Sequence, residues 1–272
     1  MKYWLLVVIY LAIIPSNTIA KRIITLGSDI TEIVFALNAG EYVIARDTDS
    51  QYPVSARHLP SVGHIKTLNA KDILSTQPTM VLASERAKPF NALIRVQNNG
   101  VRVVKITSKL ALEAIPEKIK TIAKVIDKVA LGEKLIASHQ QELSQINTAA
   151  IDKKVLFIVN KGGVLPLAAG LNTAADSLIR TTGAQNAMTT FHYYHPLSPE
   201  MLMISQPDLI ITNHESIKSL GGSDSLWRLP GISLTPAAKN KSLLIIDDIE
   251  MYGFSLNTPK IMLQIRQALE AS

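Results

Sequence analysis

The 272-residue sequence contains no cysteine, which excludes a disulfide framework, thiolate catalysis and cysteine metal sites together. Aromatic residues are scarce, at 5%. The 28 Lys and Arg only modestly exceed the 22 Asp and Glu, giving a formal charge of +6, and the positive residues are scattered singly. With no basic stripe interleaved with aromatics, nucleic acid is not an expected partner. Glycine and proline form no tract and no block of like charge occurs, so disordered, collagen-like and coiled-coil classes drop out. Catalytic signatures are missing too. Gly221-Gly222-Ser223-Asp224-Ser225 lacks the closing glycine of a nucleophile elbow, and there is neither a phosphate-cradling loop nor Gly-x-Gly-x-x-Gly. The expectation is a binding protein and not an enzyme.

Long apolar runs are also absent, with one short exception. Tyr3 to Ile14 is wholly apolar or aromatic, follows Lys2 and precedes Pro15-Ser16-Asn17 and Thr18-Ile19-Ala20. Such a run falls short of the roughly 20 residues that span a bilayer. A charged start, an apolar stretch and a small exit residue instead match a secretory signal peptide over residues 1–20, cut before Lys21. No cysteine stands at the cut to carry a lipid anchor. Loss of Lys2 leaves 6 − 1 = +5, and the mature chain is expected to be a soluble periplasmic protein.

What the sequence does contain is alternation. Arg22–Leu26, Met80–Ala83, Val101–Ile106, Val155–Val159, Leu209–Thr212 and Leu243–Asp247 read as buried strands, most of them followed by amphipathic stretches. The fold class is therefore α/β, with two Rossmann-like lobes of mainly parallel sheet. Between the third and fourth strands, Ile115, Ile119, Ile122, Ile126, Val129 and Leu135-Ile136 recur at helical spacing. This predicts one long helix from Leu112 to Ile146, interrupted only by Pro116 and Gly132. The expected organisation is an N-terminal lobe over 21–110, a connecting helix over 111–148, and a C-terminal lobe over 149–272.

The halves echo each other. Leu68-Asn69-Ala70-Lys71-Asp72-Ile73-Leu74 with Gln77-Pro78 aligns, at an offset of 129, with Leu197-Ser198-Pro199-Glu200-Met201-Leu202-Met203 with Gln206-Pro207. In each copy an N-cap residue starts a short helix, a Gln-Pro ends it, and a buried strand follows. Two copies of one unit predict a cleft between two lobes, the usual place for a small ligand.

The same offset sets His64 against Tyr193 and Lys66 against His195. The loops before the two short helices thus both carry metal-capable or cationic side chains: His64 and Lys66 in one, Phe191-His192-Tyr193-Tyr194-His195 in the other. Imidazoles suit iron or zinc and flat rings suit stacking. His64 alone reads more readily as a partly exposed loop histidine than as a ligand, and the second cluster equally as aromatic packing. A zinc-dependent hydrolase would need His192 and His195 joined by His214 or His64. His58, His139 and His214 stand isolated, and His139, among polar residues of the helical stretch, is expected to face solvent.

Several of these segments resemble the periplasmic haem-binding proteins of bacterial haem ABC importers, within the wider set of two-lobed siderophore and cobalamin binders. The resemblance runs from Arg22 to Ala271. It is carried by Leu26-Gly27-Ser28-Asp29-Ile30-Thr31-Glu32-Ile33, Ala45-Arg46-Asp47-Thr48, Val62-Gly63-His64 through Leu74, and Ala83-Ser84-Glu85. In the second half it is carried by His195-Pro196-Leu197-Ser198-Pro199-Glu200, Leu229-Pro230-Gly231-Ile232, Thr235-Pro236-Ala237 and Asp247-Asp248 through Gly253-Phe254. The family's axial ligand is a tyrosine with an arginine two residues on; this sequence has His64 and Lys66 there. The resemblance implies haem as transported ligand and His64 as the iron ligand, with His192, Tyr193, Tyr194 or His195 as the second, or two stacked haems. Lys66, Arg86, Lys88 or Arg228 would hold the propionates. It implies a monomer, little hinge motion, and delivery to an inner-membrane ABC permease that docks on Glu200 and, in the first half, on Asp72 beside the reversed charge of Lys71. The rival with the same fold binds a corrinoid or a ferric siderophore.

Overall fold

A computed structural model describes residues 21–160, 162, 165–246 and 253–271. The expected signal peptide and the Asp247-Asp248 segment lie outside the described residues. The chain runs β1 (Ile23–Leu26), α1 (Ser28–Ala36), β2 (Val43–Arg46), α2 (Ala70–Ser75), β3 (Met80–Ser84), α3 (Phe90–Asn98) and β4 (Arg102–Ile106). Two helices follow, α4 (Ala114–Val125) and α5 (Val129–Ser144). The second half has β5 (Lys154–Val159), β6 (Leu167–Ala169), α6 (Ala174–Thr181), β7 (Gln185–Asn186), β8 (Tyr194–Pro196), α7 (Pro199–Ser205) and β9 (Leu209–Asn213). It ends with α8 (His214–Leu220), α9 (Ser223–Trp227), α10 (Pro236–Asn240), β10 (Leu243–Ile246) and α11 (Thr258–Glu270).

Among the described residues the first sheet is all parallel, in the order β2-β1-β3-β4. The inner strands β1 and β3 are buried along their whole length. That is why they read as continuous apolar runs and not as alternating ones: helices cover both faces. Ile23 points to one core and Ile24 and Leu26 to the other, facing α2 and α3. The second sheet is mixed. β10, β9 and β5 run parallel, β7 adds parallel to β5, and β6 and β8 are antiparallel additions. The six expected strands all form; β2, β6, β7 and β8 are additional.

The single long helix is corrected. The stretch breaks after Val125, where Asp127 takes a left-handed backbone (φ 61°). The Ile126 N–H still donates to Ile122 O at 3.1 Å as in the helix, and the Lys128 N–H turns back to Ala123 O at 2.8 Å, the six-to-one bond that closes a helix over a left-handed residue. The Lys21 ammonium completes the cap, donating to Ile126 O and pairing with Asp127 Oδ2, each at 2.8 Å. Neither predicted interruption is where the helix stops. Pro116 sits in the first turn of α4, where its missing N–H costs nothing. Gly132 lies inside α5, where a Cβ would come within 2.6 Å of the Ala123 Cβ; it lets the two helices touch.

The largest apolar cluster is continuous between the lobes. It passes from Ile23, Ile30 and Ile33 through Ile115, Ile119 and Ile122 of α4 to Val155, Phe157, Ile179, Ile261 and Ile265. Each such side chain stabilises by about 1.5–3 kcal/mol on burial, so the lobes share one core. The expectation that His139 faces solvent is corrected: it is 3% exposed, because α5 is packed against α4 on one side and α11 on another.

Candidate functional site

In the first lobe the site begins at the carboxyl ends of β1 and β3. The Gly27 N–H, on a backbone with φ 138° open to glycine, donates to Asp47 Oδ1 at 2.7 Å. Asp47 is fully buried. Burial pushes its carboxyl above the usual carboxylate range, opposed by hydrogen bonds from Ser50, Gly27 and Asp49. The buried Arg46 guanidinium donates to the carbonyls of Ala56, Asp47, Thr48 and Arg57, so the excursion between β2 and α2 is stitched from inside. Its return limb is held by Thr48 N–H to Gly63 O at 3.0 Å and by Val62 N–H to Arg46 O at 2.9 Å.

This scaffold presents His64. The imidazole is 44% exposed, with Nε2 3.0 Å from Asp49 Oδ2, and Nδ1 accepts the Lys66 N–H at 3.2 Å. A nitrogen that accepts a backbone N–H carries no proton, so the proton is on Nε2 and is donated to Asp49. Lys88 joins the same cluster: its N–H donates to Ile65 O and its carbonyl accepts from Leu68 N–H, both at 2.8 Å. Arg86 lies further along, donating to Ser108 O at 3.3 Å and reaching toward Gly253. The backbone of Lys88 is thus tied to the loop that carries His64 and Lys66, while Arg86 contacts Ser108 and approaches Gly253.

In the second lobe β8 hangs on β6, and the chain before it is pinned by Gly170 N–H to Tyr193 O, Leu171 N–H to Phe191 O and Tyr193 N–H to Leu171 O, at 2.8–2.9 Å. Gly170 is required by contact: a Cβ there would lie 2.4 Å from the Phe191 ring. The Phe191 and His195 rings meet at a tilt of 41°, with centroids 4.7 Å apart. His192 Nδ1 is 2.9 Å from the Asn172 amide nitrogen. Tyr193 is 66% exposed on a left-handed backbone of φ 65°, a costly conformation for an aromatic residue. Tyr194 packs inward against the shared core.

The repeat relation holds in three dimensions. Asn69 caps α2 by accepting the Lys71 N–H, and Ser198 caps α7 by accepting the Met201 N–H. His64 and Tyr193 each sit in the loop before the capped helix. Glu200 stands exposed on the first turn of α7, its carboxyl held below the usual range by its own backbone N–H and by Ser198. Gly231 (φ 85°) lies on Pro199, where a Cβ would come within 2.8 Å of Pro199 Cα; the Leu229–Ile232 segment thereby supports this helix start. Asp72 is exposed on the first turn of α2. Arg228 belongs to the end of α9, donating to Ser225 Oγ at 3.2 Å, and not to the 191–195 loop.

Two readings are corrected or displaced. Among the described residues no three His, Asp or Glu side chains gather as a metal site, so His192, His195 and His214 form no zinc centre. Asn172 holds His192, and His214 opens α8 at the end of β9. A cavity of about 460 Å³ lies between α6 and α7, lined by Asp176, Arg180, Met188 and Ser205 among others, and contains none of the predicted site residues. Asp49 and Asn172, the partners of the two loop histidines, were missed in the sequence. Asp49 had a signal, since Asp47-Thr48-Asp49-Ser50 has the polar composition of a turn.

The sequence pattern of the periplasmic binding protein family matches residues 23–250. The chain belongs to this family. It is similar in structure to the periplasmic heme-binding protein BhuT in complex with two hemes: 32% identical, covering 92% of this chain and 98% of that one, TM-score 0.86. The periplasmic heme-binding protein HutB of Vibrio cholerae is 30% identical, covering 92% and 99%, TM-score 0.83. A vitamin B12-binding protein of Pectobacterium atrosepticum is 24% identical over 256 residues, 92% of this chain and 87% of its own. These relatives are binding proteins. As in a periplasmic binding protein of two lobes, the α/β units here are joined through helices, and among the described residues no helix is long and apolar enough to cross a membrane.

Proposed function

We propose that this chain captures haem between its lobes and delivers it to an inner-membrane ABC permease. The observation that carries the reading is whole-length similarity, at 30–32% identity, to solved haem-binding proteins, at a level above the 24% shared with B12-binding relatives. The loop chemistry supports it. His64 offers an imidazole donor to iron, which binds both oxidation states, and His192, Tyr193 or His195 offers a donor from the second lobe. Tyr194, packed against the core, is the weaker candidate. The BhuT complex holds two hemes, and donors in both loops suit either one bridged iron or a stacked pair. Lys66 and Lys88 beside His64 suit propionate carboxylates, with Arg86 next and Arg228 less well located. Docking would use Glu200 and Asp72, the exposed acids on the first turns of the paired helices. The working location is the periplasm, reached by cleavage before Lys21, and the working form is a monomer.

The test is an optical titration of ligand-free protein with haem. A saturable Soret shift is expected, lost or strongly weakened in His64→Ala and converted toward a tyrosinate spectrum in His64→Tyr. The B12-binding relatives favour a corrinoid as the second reading; binding of cyanocobalamin with no response to haem would replace the first by the second.

A further inference from the structure

We propose that Asp49 is a positioning residue for His64: it holds the imidazole in one tautomer and remains the acceptor of its N–H when the ring coordinates haem iron. The inference rests on the haem reading above and extends it to a residue outside the ligand loop.

The geometry assigns a distinct task to each ring nitrogen. Asp49 Oδ2 lies 3.0 Å from Nε2 and the Lys66 N–H donates to Nδ1 at 3.2 Å; the two contacts together select the Nε2–H tautomer, and without the Asp49 carboxylate only the longer one is left to select it. One ring nitrogen thus carries its N–H on a carboxylate, and the other, Nδ1, accepts the Lys66 N–H, so iron would meet the ring at Nδ1 once that backbone contact opens. Metal-binding histidines characteristically rest their second nitrogen on such an acceptor, which fixes the ring and strengthens it as a donor. Asp49 is itself well held. Its N–H donates to Asp47 Oδ2 at 3.1 Å, Asp47 is buried under Gly27 and Ser50, and the adjacent Thr48 N–H grips Gly63 O, one residue from His64. The turn and the ligand loop are thus tied by backbone as well as by side chain.

A purely structural role accounts poorly for this pair. Its side chains are 44% and 55% exposed, and contacts so accessible to water contribute only about 0–1 kcal/mol. The fold on either side is secured by the Arg46 and Asp47 networks without it. What the pair does fix is the direction and protonation of one imidazole at the mouth of the loop.

The test uses full mature chains carrying Asp49→Asn and Asp49→Ala. In ligand-free protein, ¹⁵N NMR of the His64 ring should show the single Nε2–H tautomer for wild type and a mixture in both variants. Ferric haem affinity should fall about tenfold, the low end for loss of a ligand's outer partner, while ferrous affinity changes little. The haem reduction potential should then rise by about 59 mV, the equivalent of tenfold for one electron. In a His64→Ala background Asp49→Asn should have no effect. Wild-type protein that binds haem with affinity and potential indifferent to both substitutions overturns this inference alone. Wild-type protein that binds no haem overturns the function proposed above and this inference with it.

Discussion

Removing the carboxylate of Asp29 should destabilise the protein more than removing its buried partner. Lys118, on α4, is 2% exposed, and its ammonium donates to Asp29 Oδ2 and, at 2.9 Å, to Phe254 O. Asp29→Ala leaves a buried cation with one carbonyl for company. Breaking a buried pair in this way costs about 3–5 kcal/mol. Because Asp29 is 21% exposed, water reaches the vacated side, and about 3 kcal/mol is expected, or roughly 6–12 °C in Tm for a protein of this size. Lys118→Met keeps the volume and removes the cation. Asp29 then turns to water, and the main loss is the donor to Phe254 O, about 1–2 kcal/mol. In the Lys118→Met background Asp29→Ala should add little beyond the up to 1 kcal/mol of a helix-start carboxylate, so the double variant should resemble Lys118→Met alone. Urea unfolding of the four proteins measures the cycle. Strict additivity, or an Asp29→Ala loss below about 1 kcal/mol, would refute the reasoning.

Other outcomes follow from single sites. His139 has its protonation disfavoured chiefly by burial, with the Glu142 charge and the Ser255 backbone opposing, and neither ring nitrogen has a hydrogen-bond partner among the described residues. Its folded pKa is below its unfolded one, so stability should be full above about pH 6.5 and fall below it, by at most about 1.4 kcal/mol per pH unit. Urea midpoints from pH 7.5 to 5 should show this, and His139→Leu should flatten it. Gly170→Ala should push Phe191 and the 191–195 loop outward; intact far-UV circular dichroism with altered haem stoichiometry or spectrum is the expected signature, and an unchanged haem titration would count against a role for this loop. Glu200→Lys should reduce uptake by reconstituted permease more than Asp72→Lys at unchanged haem affinity, and undiminished transport in both variants would remove the docking assignment.

How much of this was legible depends on what sort of signal each element leaves. Buried parallel strands such as Met80–Ser84 and Leu209–Asn213 announce themselves as unbroken apolar runs, and the caps Asn69 and Ser198 announce α2 and α7. The short antiparallel additions do not: Leu167–Ala169 and Tyr194–Pro196 are three residues each, held by pairing with a neighbour that local sequence does not reveal. The helix break at 126–128 carries neither glycine nor proline, because Asp127 adopts the left-handed turn and Lys21, more than a hundred residues away, caps it. At the site, His64 and the 191–195 cluster were visible as residue types in equivalent loops. Their partners were not, since Asp49 and Asn172 meet the imidazoles only through the fold.

The residues that bring the lobes together explain why a continuous connecting helix is unnecessary. The short segment 253–257, between the second sheet and α11, is gripped from two directions. Lys118 of α4 donates to Phe254 O, and Glu32 of α1 accepts the Leu256 N–H at 3.1 Å. Phe254 itself is 1% exposed within the shared core. Polar contacts of this kind are directional where apolar burial is not, so they fix how the second sheet sits on the first while the common core supplies the adhesion. Asp29 and Glu32 lie on the first turns of α1, at the carboxyl end of β1 and close in the chain to Gly27, which anchors the Asp47 turn and through it His64. The same strand end therefore sets both the register of the two lobes and the position of the candidate iron ligand, which couples the geometry of the cleft to the chemistry at its mouth.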